Sequence, residues 1–322
     1  MQSQDAVKCS YVFPGQGSQS VGMGLEIYKA SKAAREVFEE ADDSLGFPIS
    51  RLIFNGPEEE LQDTVNSQPA IMVVSIACWK AWEEFLGTKK KKKQQGKPSP
   101  VSVAGHSLGE YTSLVVVGAL PFAEALWLVR ERGRLMRQAS IEHPGAMAAI
   151  LGLDEFALEH ICAETGVEMA NVNTDDQIVI SGDRLAVARA MDLASIRGAK
   201  KTISLHVSGA FHSSLMSQAR EGLAAAVEAV NFYDPHVPVI GNYTGTPLTS
   251  ADQLRDELLE GLCHCVQWRN SVRYMASAGV THFVEFGPSK VLSSLIKRID
   301  GDVEAVTLSE PASMEKFAKE LR

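Results

Sequence analysis

The sequence predicts an α/β fold: a parallel sheet covered by helices on both faces, interrupted by a small ferredoxin-like unit. Three observations carry this. Apolar strands at 10–13 and 101–104 each run into a glycine-containing turn and then a helical stretch. Strand and helix patterns alternate again over 213–298, and such alternation argues for parallel strands with helices on both sides. Between these portions, 146–206 reads strand, helix, two strands across a polar turn, helix, strand, the order of a ferredoxin-like unit. The expected division is 1–139 and 207–322 for the larger body and 140–206 for the insertion, with a cleft where the two meet.

Taken in order, the strand at 10–13 ends at Pro14-Gly15-Gln16-Gly17-Ser18-Gln19, a loop that leaves backbone N–H groups free to approach a ligand. The lysine and spacing of a phosphate-binding loop are absent from it. A helix over 23–45, a short strand near Leu52 and an amphipathic helix over 67–86 follow. Residues 88–100 read as a turn-rich linker holding five consecutive lysines, Lys89 to Lys93. Such a run reads as a solvated loop, with steering of an acidic partner as the second reading. The insertion places strands at 146–151, 167–172, 177–181 and 200–206 and helices at 154–164 and 184–196. Beyond it come helices over 213–230, 252–262, 270–278 and 290–298, and strands at 237–240 and 282–285.

Composition narrows the class. A chain of 322 residues, 45% hydrophobic, can bury a sizeable core, and a net charge of −9 argues against a nucleic-acid binder. No apolar run is long enough to span a bilayer; the stretch 70–77 is broken by Ser75 and followed by Lys80, Glu83 and Glu84. Five cysteines in a chain this long form no disulfide framework, so a reducing compartment is expected. Cys263-His264-Cys265 sits too close in sequence to hold a metal without a second cluster, and no metal is expected. The start Met1-Gln2-Ser3 carries neither an apolar signal core nor an arginine-rich transit segment.

The chemistry centres on Gly105-His106-Ser107-Leu108-Gly109, with a buried strand before it and a helical run after it. That context makes a G-x-S-x-G turn a nucleophile elbow: small glycines let strand and helix approach while the Ser107 hydroxyl points outward. The N–H of Leu108, beside the helix start, can face a developing oxyanion. A serine needs a base near neutral pH. His212, in the small-residue loop 207–214 leaving the insertion, is the choice among eight histidines. His106 adjoins Ser107 but points to the opposite face of the strand.

Seven motifs run in order over nearly the whole chain: Phe13-Pro14-Gly15-Gln16-Gly17-Ser18-Gln19, Gly105-His106-Ser107-Leu108-Gly109-Glu110-Tyr111, Arg132-Gly133, Asn171-Val172-Asn173, Gly209-Ala210-Phe211-His212-Ser213, Val266-Gln267-Trp268 and Glu285-Phe286-Gly287-Pro288. In this combination the chain resembles the malonyl-CoA:acyl carrier protein transacylases. The resemblance implies an α/β-hydrolase-like large subdomain carrying the serine and a ferredoxin-like small one. It implies Ser107 as the malonylated nucleophile, His212 as its base, and a main-chain carbonyl at Gln267 in place of a triad carboxylate. The N–H groups of Leu108 and Gln16 would form the oxyanion hole, and Arg132 would bind the free malonyl carboxylate through its fork. Asn173 and Phe211 join the substrate-binding set, with Phe211 leaving little room for an α-methyl branch.

The implied reaction is ping-pong, from malonyl-CoA to the phosphopantetheine thiol of acyl carrier protein, with CoA entering as substrate and no cofactor. Lys200, Lys201, Lys290, Lys297 and Arg298 are candidates for a basic carrier-protein dock, and a monomer is expected. Two alternatives stand beside this reading. An α/β-hydrolase esterase or thioesterase shares the elbow but expects a carboxylate between the serine and the histidine; Asp175, Asp183 and Asp192 lie there, but inside the ferredoxin-like pattern, which hydrolases lack at that place. A carrier-protein binding module could keep the fold without catalysis. The lysine run and the missing targeting segment suggest a mature plastid-stroma enzyme, with a bacterial cytoplasm or mitochondrial matrix as alternatives.

Overall fold

The computed structural model describes residues 7–90 and 99–320. Met1-Gln2-Ser3 and Lys91 to Lys93 lie outside the described residues. The larger body opens with β1 (Cys9–Phe13), α1 (Leu25–Ala30), α2 (Lys32–Leu45), α3 (Ile49–Asn55), α4 (Glu58–Gln62), α5 (Thr64–Lys90), β2 (Ser102–Gly105), α6 (Leu108–Val116) and α7 (Phe122–Glu142). The insertion follows as β3 (Gly145–Leu151), α8 (Glu155–Thr165), β4 (Glu168–Thr174), β5 (Gln177–Asp183), α9 (Arg184–Ile196) and β6 (Lys201–Ser204). The chain then returns through α10 (Ser217–Glu228), β7 (Val239–Ile240), β8 (Pro247–Leu248), α11 (Ala251–Glu260), α12 (Trp268–Ser277), β9 (His282–Glu285), α13 (Val291–Ile299), β10 (Glu304–Thr307) and α14 (Pro311–Glu320).

The body holds a six-stranded sheet in the order β10-β9-β1-β2-β7-β8. Its pairs are parallel except β7 with β8. Period-2 alternation sorts its side chains. Tyr11, Phe13, Val103 and Val284 enter the core that contains α5 and α7, whereas Val12, Ala104 and Phe283 face Trp268, Val272, Leu292 and Ile296 of α12 and α13. The insertion is a four-stranded sheet, β4-β5-β3-β6, antiparallel throughout. One face packs Ala148, Ile150, Ile178 and Ile180 on α8 and α9. The opposite face gives Met147, Ala149, Ala170 and Val179 to the core of the body, so β3, β4 and β5 are covered on both faces, while the edge strand β6 stays largely exposed.

The insertion is also hydrogen-bonded to the body. Val266 N–H donates to Ala170 O, and Val172 N–H donates to Val266 O, each at 2.9 Å. This bridge extends the edge of β4 with the segment leading into α12. Arg269 pairs with Glu155 at 2.5 Å and with Asp175 at 3.3 Å, and Arg298 pairs with Asp176 at 2.6 Å.

Several local expectations are corrected. The helix expected over 23–45 is broken at Ser31, whose extended backbone and side-chain acceptor for Ala34 N–H cap α2. The strand expected near Leu52 is helix α3, because Ile49, Leu52 and Ile53 repeat at helical spacing and are all buried. Helix α5 is not amphipathic in its middle, since Ala70 to Cys78 are buried on every side. Helix α7 continues to Glu142, past residue 139. Strand β10 and helix α14 were not expected.

What positions the elbow is close backbone approach. A Cβ on Gly105 would lie 1.9 Å from Gly109 C, and one on Gly109 would lie 2.0 Å from Phe13 O. Both residues need to be glycine for β1, β2 and α6 to meet. Gly109→Ala is expected to cost about 3 kcal/mol, the upper end for overpacking, measured as a lower urea midpoint with unchanged slope.

Candidate active site

Ser107 sits between β2 and α6 with φ 51° and ψ −103°, a left-handed conformation that costs a non-glycine residue of order 1–3 kcal/mol. Its Oγ is 2.8 Å from His212 Nε2. His212 has a positive φ of 55° as well, so two strained residues converge on one hydrogen bond. The His212 ring is buried and its Nδ1 lies 2.8 Å from Gly261 O. A carbonyl only accepts, so Nδ1 carries the proton and Nε2 presents its lone pair to the serine hydroxyl.

The orienting carbonyl is therefore Gly261's and not that of Gln267. Gly261 follows the last turn of α11, where carbonyls have no partner within the helix. Gln267 instead stands at the start of α12, and its carbonyl accepts from Ser271 N–H at 2.9 Å. Its side chain is held by Asn270 at 2.9 Å.

Burial pushes the His212 ring down to about 3, with the nearby Arg132 charge acting in the same direction and the Gly261 carbonyl opposing it. Arg132 is itself buried, 4% exposed. Its Nη2 donates to Ser107 Oγ at 3.0 Å and its Nη1 to Gln68 Oε1 at 2.7 Å, and its guanidinium lies 5.4 Å from the centre of the Tyr111 ring. Among the described residues no carboxylate forms an ion pair with it. Burial lowers its pKa, while Tyr111 and Glu110 act to raise it. The other arginines of α7 go elsewhere: Arg134 pairs with Glu131, Arg137 with Asp63, and Arg130 lies over Phe47. Gly133 decides which arginine turns inward, because a Cβ there would lie 2.6 Å from Thr64 O and hold α7 off α5.

The glycine-rich loop meets the elbow from the other side. A Cβ on Gly15 would lie 2.4 Å from His106 O, so Gln16 follows a point of backbone contact with the residue before Ser107. Its Oε1 accepts from Thr64 Oγ1 at 2.9 Å, and Thr64 Oγ1 accepts from Gln68 Nε2 at 2.9 Å, linking the loop to the Arg132 fork. Among the described residues neither Gln16 N–H nor Leu108 N–H donates a hydrogen bond to protein. Asn173 Oδ1 holds His106 Nε2 at 2.9 Å, bracing the residue beside the serine. Phe211 is buried next to His212.

Such a set, a serine on a strained turn, a neutral imidazole and a buried unpaired guanidinium, suits transfer of an acyl group that bears a carboxylate. A family model described as an acyl transferase domain matches residues 10–308. A malonyl CoA-acyl carrier protein transacylase of Bacillus subtilis strain 168 is 42% identical over 320 residues, 98% of each chain. The chain belongs to this acyltransferase family. The solved malonyl CoA-acyl carrier protein transacylase of Coxiella burnetii has a TM-score of 0.93 to the acyltransferase at 37% identity, over 98% of both chains. A solved complex of a type II PKS acyl-carrier protein with its malonyl-transacylase matches with a TM-score of 0.91 at 37% identity, over 97% of this chain and 99% of that one.

The site also holds residues that carry no sequence signature, each hydrogen-bonded to Ser107, Arg132 or His212. Gln68, Asn242 and Gly261 carry no motif of their own; a glycine closing the 252–262 helical pattern is the only signal, since it marks orphan carbonyls. Of the basic residues expected at a carrier-protein dock, Lys297 pairs with Glu304 and Arg298 with Asp176. Lys200, Lys201 and Lys290 remain exposed. No helix of the described residues is long and apolar enough to cross a membrane.

A histidine depressed to about 3 is neutral throughout the neutral range. The unfolded ring, at about 6.5, binds a proton more readily than the folded one. His212 therefore contributes stability that is present above about pH 6.5 and is lost as the pH falls from there. Its ring resonance is expected to stay flat between pH 8 and 5 by NMR, where an ordinary histidine passes its midpoint.

Proposed function

We propose that the acyltransferase moves the malonyl group from malonyl-CoA to the phosphopantetheine thiol of acyl carrier protein through a malonyl-Ser107 ester. His212 Nε2 takes the Ser107 proton as Oγ attacks the thioester carbonyl, and returns it to the departing CoA sulfur. The N–H groups of Leu108 and Gln16 receive the negative charge on the carbonyl oxygen. The carrier thiol then attacks the ester, His212 accepting its proton and returning it to Ser107. CoA and carrier protein thus take turns at one site, which gives ping-pong kinetics, and the scheme routes nothing through a cofactor.

Arg132 carries the reading. A guanidinium held in a buried site without a carboxylate partner is costly, and it donates to the nucleophile itself at 3.0 Å. A substrate with a free carboxylate supplies the missing partner and, through the planar fork, fixes its thioester carbonyl over Ser107. Acyl groups without that carboxylate leave the charge unpaired. Phe211, packed beside His212, restricts the α-carbon, favouring malonyl over methylmalonyl. Asn173 supports the substrate side of the site through His106, and Gln267 does so through the segment it anchors to Asn242 O at 2.6 Å.

The hydrolase reading is disfavoured by the carbonyl at His212 Nδ1, where that class places a carboxylate. For partners, we take acyl carrier protein docking at the exposed lysines Lys200, Lys201 and Lys290, and a monomer, since every proposed catalytic group comes from one chain. The named relatives are bacterial, so we place the enzyme in a bacterial-type system. The plastid stroma rests on the Lys89–Lys93 run, whose side chains are not described. We also keep the division into a body and a 140–206 insertion as a functional one, with His212 on the chain's return between them.

Removing one partner of a desolvated ion pair costs roughly 3–5 kcal/mol. Arg132→Ala is therefore expected to lower kcat/KM for malonyl-CoA by about two to three decades and to leave transfer from acetyl-CoA unchanged or raised, in steady-state assays of both donors. Equal losses for the two would overturn the assignment.

A further inference from the structure

Asn242, on the chain just after β7, is buried and uses every polar group it has. Its Oδ1 accepts from Ser107 N–H at 2.7 Å, and its Nδ2 donates to Gly105 O at 2.7 Å. One side-chain amide therefore bridges the two ends of the strained turn. Its own backbone is fixed on both sides: its N–H donates to Glu110 Oε1 at 2.9 Å, and its carbonyl accepts from Gln267 N–H at 2.6 Å. Glu110 lies in the first turn of α6, three residues beyond the serine, so the helix that starts at the elbow also holds the residue that pins the elbow.

The arrangement continues towards the histidine. Glu257 of α11 receives the N–H groups of Tyr243 at 2.5 Å and Thr244 at 3.4 Å, which fixes the chain immediately after Asn242. Its carbonyl accepts from Gly261 N–H at 2.8 Å, and Gly261 O holds His212 Nδ1. Ser107 is thus held by Asn242 and His212 by Gly261, and Glu257 contacts both the chain after Asn242 and Gly261 itself.

We propose that Asn242 is the positioning residue of this acyltransferase: its amide holds Ser107 at the backbone angles that aim Oγ at His212, and Glu110 and Glu257 lock Asn242 in register. This rests on Ser107 being the nucleophile. The physical ground is that strain at a non-glycine residue persists only where the surroundings over-determine it. Here the N–H of the strained residue and the carbonyl two residues before it are tied to the same side chain. Removing the amide leaves both groups unpaired in a buried site, and the turn relaxes towards ordinary angles. A misplacement of about 1 Å at the reacting atom costs on the order of a hundredfold in rate.

Asn242 makes no hydrogen bond to Arg132, so its loss acts on the nucleophile and not on recognition of the carboxylate. A serine-reactive fluorophosphonate, which carries no carboxylate, reads the nucleophile alone. For Asn242→Ala, normalised to folded protein by circular dichroism, we expect fluorophosphonate labelling and malonyl kcat both to fall by about 10- to 100-fold, with KM for malonyl-CoA changed less than about threefold. Asn242→Asp keeps an acceptor for Ser107 N–H and loses the donor to Gly105 O; it is expected to be slowed about tenfold in both assays and serves if the alanine variant does not fold. Labelling of either folded variant at the wild-type rate overturns the proposal while leaving the serine mechanism intact. Labelling of Ser107→Ala at the wild-type rate overturns both.

Discussion

The close meeting of β1, β2 and α6 around one strained serine is the constraint on which this structure turns. Gly105 and Gly109 remove the side chains that would keep these elements apart, and Gly15 lets the loop after β1 reach the backbone of His106. These approaches bring three backbone segments together at Ser107, whose φ is positive and whose hydroxyl meets His212 and Arg132. Packing the three elements more loosely would relax the serine and separate the loop from it. Geometry at the nucleophile is thus determined by backbone contacts several residues away in sequence and across a parallel sheet.

Around that turn the enzyme separates two electrostatic jobs. His212 is kept neutral by burial and by Arg132, which in the proposed mechanism leaves it free to take a proton without a carboxylate behind it; the Gly261 carbonyl accepts from the ring and adds no full charge. Arg132 remains the cation of the site. Placing a carboxylate behind His212 would compete for that charge and weaken its claim on a substrate carboxylate. Nearby, burial and Glu257 push Glu110 up, and burial raises Glu257 too.

Where the sequence could be read, the signal was local. The Ser107 elbow, the Gln16 loop and the β-α-β-β-α-β insertion are written in contiguous residues, through glycine spacing and strand or helix period, and the structure places them accordingly. The helix α3 was missed because Ile49, Leu52 and Ile53 fit a short strand as well as one helical turn, and only packing separates the two. Selection of Arg132 from among Arg130, Arg134 and Arg137 depends on Gly133 meeting Thr64 O, a contact between two helices far apart in sequence and adjacent only in space. Gly261 and Asn242 act through a carbonyl and an amide whose partners lie far along the chain. Backbone acceptors of that kind leave no mark in residue type, which is why Gln267, inside a recognisable motif, drew the assignment that Gly261 holds.

Transfer through a malonyl-Ser107 ester is tested most directly by the intact mass of the protein after incubation with malonyl-CoA and no carrier. The mechanism predicts one malonyl adduct on the wild type, stable until holo acyl carrier protein is added and then transferred to it. Continuous release of free malonate without carrier, or no adduct at all, would contradict it.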